Sequence, residues 1–94
     1  MKENDRISPE EMTQIFMFEI PLEGLVLDDG IWEFHEDGDK SIGVSYEEND
    51  GKVGYVFNLF VSGEYINIAG IYNSIFDAAP VVAKIWNSYE SEAW

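Results

Sequence analysis

The stretch Lys52-Val-Gly-Tyr-Val-Phe-Asn-Leu-Phe-Val-Ser-Gly-Glu-Tyr-Ile-Asn-Ile-Ala-Gly70 decides the fold. Val53, Tyr55, Phe57, Leu59 and Val61 fall at every second position, which is the period of a half-buried strand. Ser62-Gly63 interrupts the alternation and Tyr65 to Ala69 resumes it, so the segment reads as a hairpin with a two-residue turn.

Two more strands lie on the N-terminal side. Ile31 to Glu36 alternates, with Trp32 and Phe34 on one face and Glu33 and His35 on the other. Asp37-Gly38-Asp39 reads as a three-residue turn. Lys40 to Tyr46 then sets Ile42, Val44 and Tyr46 against the small Ser41, Gly43 and Ser45, and Glu47-Glu48-Asn49-Asp50-Gly51 reads as the next turn.

Antiparallel partners share a face, so core residues must oppose core residues. Phe34 with Ile42 and Trp32 with Val44 satisfies the first hairpin. Val44 with Tyr55 and Ile42 with Phe57 satisfies the second, and Leu59 with Ile66 and Phe57 with Ile68 the third. All three agree on one apolar face. The expectation is an α+β fold: a four-stranded antiparallel meander over 31–70 with a C-terminal helix on its apolar face and a short N-terminal helix.

For the N-terminal helix, Ser8-Pro9-Glu10-Glu11 supplies a capping hydroxyl, a proline at the first helical position and a carboxylate at the third. Met12, Ile15 and Phe16 follow at helical spacing, predicting a helix over 9–18 that ends before Pro21. A strand competes there, because Phe16, Phe18 and Ile20 also alternate. At the other end, Asp77 reads as the cap of a helix running to Tyr89, with Pro80 in its first turn. Ala78, Val81, Val82, Ile85, Trp86 and Tyr89 make its apolar stripe. Residues 22–29 connect helix to sheet and close on the turn signal Asp28-Asp29-Gly30. Residues 1–7 and 91–94 are expected to fray, although Trp94 has the size to dock.

The 94 residues allow one domain, 1–94, and 46% apolar content is ample for its core. Cysteine is absent, so neither disulfides nor thiolate metal sites hold the fold. Met-Lys-Glu-Asn-Asp-Arg opens the chain without an apolar h-region, so neither a signal peptide nor a membrane helix is expected, and the expected location is cytoplasmic.

Nineteen acids against five bases leave a net charge of −14. That charge disfavours direct binding to nucleic acid, which takes a basic footprint. It points to a basic protein partner, foremost one that itself binds nucleic acid.

Chemistry finds little support. His35 is the only histidine, and Glu33 shares its predicted face, but no nucleophile or phosphate-cradling loop accompanies them. Asp37-Gly38-Asp39 and Glu47 to Gly51 lack the ligand spacing of a calcium loop. No catalytic, cofactor or metal residue is therefore assigned.

The candidate binding residues come from the topology. Glu36, Asp37, Asp39 and Glu64 gather at one end of the meander; Asp28, Asp29, Glu47, Glu48 and Asp50 gather at the other. On the second face of the sheet, Ser41, Gly43, Ser45 and Gly54 leave a flat middle, with Phe60 opposite Tyr65 to one side. We expect the N-terminal helix to cover this face through Met12, Ile15 and Phe16, the alternative being a partner or homodimer interface with Phe60 and Tyr65 as anchors.

In size and acidity the chain resembles small phage-encoded anti-defence proteins, including anti-CRISPR and anti-restriction inhibitors, a likeness of overall character that rests on no motif. It implies a non-enzymatic inhibitor acting in a host cytoplasm, one that mimics nucleic acid and blocks a basic groove. An immunity protein for a basic nuclease toxin, or a subunit binding a basic partner in an assembly, fits the same charge. A small enzyme using Glu33 and His35 is the third reading.

Overall fold

Apolar side chains at alternate positions of four consecutive strands can be buried only by closing the strands into one sheet and covering one face of it. The structure, a computed structural model describing residues 6–27 and 30–89, does this. Its elements are α1 (Pro9–Glu19), a 3₁₀ turn at Leu22–Gly24, β1 (Trp32–Asp37), β2 (Lys40–Asn49), β3 (Lys52–Val61), β4 (Glu64–Tyr72) and α2 (Ile75–Ser88). The strands form a single antiparallel meander in the order β1-β2-β3-β4. The expected α+β class, meander and terminal helices are all present.

The helix starts follow from their caps. Ser8 Oγ accepts from the Glu11 N–H and the Glu11 carboxylate accepts from the Ser8 N–H, so the capping box is complete ahead of Pro9. Helix wins over strand at 9–19, with Met12 and Phe16 fully buried and Phe18 84% exposed. The cap of α2 is Ser74, not Asp77: Ser74 Oγ accepts from the Phe76 N–H at 3.1 Å, and Asp77 sits in the first turn. Burying Ile75 accounts for the earlier start. Pro80 therefore falls in the second turn, where its missing N–H leaves the Phe76 carbonyl without its helical donor. The buried stripe also differs at Val81, which is exposed, while Ala79 and Ala83 are buried.

Two strand registers differ from the expected ones. In β1–β2, Trp32 opposes Val44 as anticipated, but a bulge intervenes and His35, rather than Phe34, opposes Ile42. The turn is two residues, Gly38-Asp39, with Gly38 at φ 66°. Shortening the turn by one residue leaves an extra residue in β1, and the bulge absorbs it at Phe34. In β2–β3, Val44 opposes Phe57 and Ile42 opposes Leu59, two residues from the expected pairing. A two-residue slip keeps every side chain on its own face, so the apolar pattern could not detect it. Asp50-Gly51, with φ of 56° and 83°, closes this hairpin, and Glu47, Glu48 and Asn49 belong to the strand. The β3–β4 register is as read from Phe57–Ile68 to the turn at Ser62-Gly63, but beyond it a bulge at 69–71, with Gly70 at φ 107°, opposes Val56, so that Tyr55 pairs with Tyr72.

Both helices lie on the apolar face. Phe16 of α1 stacks on Phe57 with ring centres 5.1 Å apart and meets Phe34 edge-on at 5.5 Å. Trp86 of α2 lies under Lys40 and beside His35. The expectation that α1 covers the second face is thus overturned: its two buried residues complete the core between β1, β3 and α2.

Ile7, expected to fray, is tied to α2, its N–H and carbonyl both bonded to the Asn87 amide at 2.9 and 2.8 Å. The connector covers an edge of the core, with Leu25 packed on the cluster and Leu27 bridged to Tyr46. Residues 1–5, Asp28, Asp29 and 90–94, including Trp94, lie outside the described residues.

The packing sets a stability contrast. Phe57→Ala should lower the unfolding free energy in a urea titration by about 3–5 kcal/mol, and Phe18→Ala by less than about 0.5 kcal/mol.

Candidate protein-docking surface

The odd-numbered positions of β2 and their partners make the second face, and among the described residues no helix packs on it. The register arranges it in rows. Glu36, Ser41, Phe60 and Tyr65 form one row across the four strands, and Glu33, Gly43, Asn58 and Asn67 the next. Ser45 with Val56, then Glu47 with Gly54, complete it. Carboxylates thus occupy the β1 and β2 side, while aromatic and amide groups occupy the β3 and β4 side, about 14 Å away at ordinary strand spacing.

The flat middle is filled locally. A Cβ on Gly43 would stand 2.4 Å from Ile31 Cγ2, and one on Gly54 would stand 2.5 Å from the Tyr72 carbonyl oxygen and 2.7 Å from Ile71 Cγ2. The two glycines let Ile31 and Ile71 fold over the sheet from either edge.

The amide side is preorganised. Asn58 is 1% exposed, and its Oδ1 accepts from Tyr65 Oη at 2.6 Å and from Asn67 Nδ2 at 2.9 Å. Tyr65 is held against Phe60 with ring centres 5.5 Å apart, yet remains 56% exposed. A large, half-exposed ring with its hydroxyl fixed is the kind of side chain that anchors protein interfaces at low entropic cost. Asn58 and Asn67 were absent from the candidates read from sequence, although the pairing of Phe57 with Ile68 already puts them opposite one another.

On the acidic side, Glu33 accepts from Ser41 Oγ at 3.3 Å and Glu47 accepts from Ser45 Oγ. Glu33 and Glu36 stand two β2 residues apart, about 7 Å along the strand. Glu36, Asp37, Asp39 and Glu64 fall at the end carrying turns 38–39 and 62–63, where Asp39 binds the Ser62 hydroxyl and N–H. Glu47, Glu48 and Asp50 fall at the opposite end; Asp28 and Asp29 are not among the described residues. Glu33 and Glu47 join the two ends across the face, a link that reading only the turns missed.

Bases do little to offset this charge. Lys40 is buried, and no salt bridge joins Arg6, Lys52 or Lys84 to a carboxylate among the described residues.

The bulge also changes the standing of His35. It no longer shares a face with Glu33: its Nδ1 lies 3.3 Å from Glu19 Oε2, in a shallow open cleft lined by Glu19, Glu33, Phe34, His35 and Glu36. Among the described residues no hydroxyl or thiol bonds to the imidazole. No group of three or more His, Cys, Asp or Glu among them is arranged to hold a metal ion. No described helix is long and apolar enough to cross a membrane.

Comparison of the chain with protein-family models, with curated proteins and with solved structures gave no match.

The network predicts a modest, local cost. Tyr65→Phe should lower stability by about 0.5–1.5 kcal/mol in chemical denaturation, since Asn67 still satisfies Asn58. Asn58→Ala, which strands both donors, should cost more and sharpen no contact.

Proposed function

We propose that this chain is a non-enzymatic docking module that binds a basic protein surface, and that it inhibits a nucleic-acid-binding protein by occupying its basic groove. The observation that carries the reading is the graded open face. Glu33, Glu36 and Glu47 present carboxylates without cationic partners among the described residues at one side, and Phe60 and Tyr65 present a fixed aromatic pair at the other. Carboxylates on a rigid sheet substitute for phosphates in attracting lysine and arginine, giving fast association and choice of partner. The aromatic pair supplies apolar area, from which affinity comes once the charges have aligned the two surfaces. Acidic turns at both sheet ends extend the negative surface beyond the face itself.

The experiment is displacement of a labelled DNA duplex from a panel of basic DNA- and RNA-binding proteins, read by fluorescence anisotropy. The chain should release the duplex from its target at about 0.05 M salt and much less effectively at about 0.5 M, where the Debye length is a few ångströms. The variant Glu33→Gln, Glu36→Gln, Glu47→Gln should weaken displacement about tenfold or more while keeping its fold by circular dichroism. Failure to displace the duplex from any member of the panel, at low salt as well as high, would defeat the reading.

A further inference from the structure

The sheet has two outer edges, and they are built differently. The edge of β1 is interrupted by the bulge at Phe34, carries Glu33 and Glu36, and is extended by the Leu27–Tyr46 bridge. The edge of β4 carries Glu64 and is interrupted only in its C-terminal half, where a bulge at 69–71, with Gly70 at φ 107°, opposes Val56 and the Tyr72 hydroxyl donates to the Ala69 carbonyl at 3.1 Å. Its regular part, residues 64–68, contains no lysine, arginine or proline, and no described residue hydrogen-bonds to the outward N–H or C=O of Tyr65 or Asn67. A regular edge segment with free outward N–H and C=O groups is a template for another strand.

Which groups are free follows from the turn. Val61 and Glu64 flank a two-residue loop, so they exchange both backbone bonds, and the pairs alternate from there. Phe60 with Tyr65 and Asn58 with Asn67 are consequently the non-bonded pairs. The N–H and C=O of Tyr65 and Asn67 point away from the sheet, on the strand that also presents the Tyr65 ring.

A second copy of this chain is a poor occupant, because pairing two molecules of charge −14 brings like charges together along the whole edge. The same charge attracts a basic strand. We infer that β4 takes an extended, lysine- or arginine-rich segment of the target as a fifth antiparallel or parallel strand, main-chain bonds at Tyr65 and Asn67 giving affinity and the acidic surface selecting the sequence. The inference rests on the docking reading and names the chemistry of the partner: an exposed basic β-strand or an unfolded basic tail.

The test uses a nine-residue peptide alternating lysine with valine, and the same peptide with glutamate in place of lysine. The lysine peptide should bind the intact chain and shift the amide resonances of Tyr65 and Asn67 most; the glutamate peptide should not bind. Asn67→Pro removes one outward donor and should weaken binding about tenfold, whereas Asn67→Ala, which keeps the donor, should stay within about threefold of the unaltered chain. Should Asn67→Pro not fold, Asn67→Lys sets a like charge against the peptide at the same place and should weaken it comparably.

Equal binding of the lysine peptide to both edge variants, no binding to the unaltered chain, or a dimer formed through β4 in sedimentation and cross-linking would overturn the inference. An Asn67→Pro chain that still displaces DNA from the basic panel as the unaltered chain does would also overturn it, leaving the docking reading intact. A failure of the unaltered chain to displace DNA would remove the reading itself.

Discussion

Phe57 is the residue on which the layers converge. Its ring stacks on Phe16 from α1, and meets Phe34 from β1 and Tyr72 from β4 at steep angles, with centres between 5.1 and 6.3 Å. One side chain therefore joins an edge strand, an inner strand, the opposite edge and a helix that precedes them all in sequence. The bulge in β1 is best understood from this contact. A regular strand with a two-residue turn would have sent Phe34 to the other face; the extra residue lets it reach the cluster while Asp37 still pairs with Lys40. Packing of aromatic rings in edge and stacked geometries contributes beyond the area they bury, which gives the cluster the means to impose an irregular backbone.

The second tie is a charge placed inside. Lys40 begins β2, but its Nζ donates to the carbonyls of Trp86 and Tyr89 at 3.0 and 2.6 Å, and lies 4.3 Å from the centre of the Trp86 ring. The last turn of α2 has no basic residue of its own, so this lysine from the sheet supplies the cation that the helix C-terminus favours. It also uses one of only five bases in the chain for structure, which leaves the surface still more acidic. A buried structural cation and an acidic exterior are two sides of the same placement.

With both helices drawn to one side, the other face of the sheet is left to the strands themselves. Its polar centre is satisfied internally by Asn58 and the serines, and its glycines are roofed by Ile31 and Ile71. What stays exposed there is the outer rim of carboxylates and the Phe60–Tyr65 pair, beside the edge of β4. A face with satisfied polar groups and a fixed aromatic ring is rigid before any contact is made.

The elements, their order and the side each strand turns to the core were legible from residue spacing. Alternation at Val53 to Val61 has no helical counterpart, Ser62-Gly63 suits two successive positive φ values, and the Ser8 capping box needs no tertiary partner to start a helix. The ends of the sheet at which Glu36, Asp37, Asp39 and Glu64, and Glu47, Glu48 and Asp50, fall were legible too, although Glu47 and Glu48 lie in β2 and not in the turn. Three things were decided only in three dimensions. The β2–β3 register moved by two residues because such a slip leaves the apolar face unchanged, and only the Asp50-Gly51 turn and the stacking of Phe57 choose between the alternatives. The bulge that carries His35 away from Glu33 answers to Phe16, eighteen positions before Phe34. And α1 lies beside α2, rather than on the open face, because Met12 and Phe16 find their apolar partners there; an amphipathic helix specifies that it will be covered, but which surface covers it depends on where the rest of the chain leaves a gap.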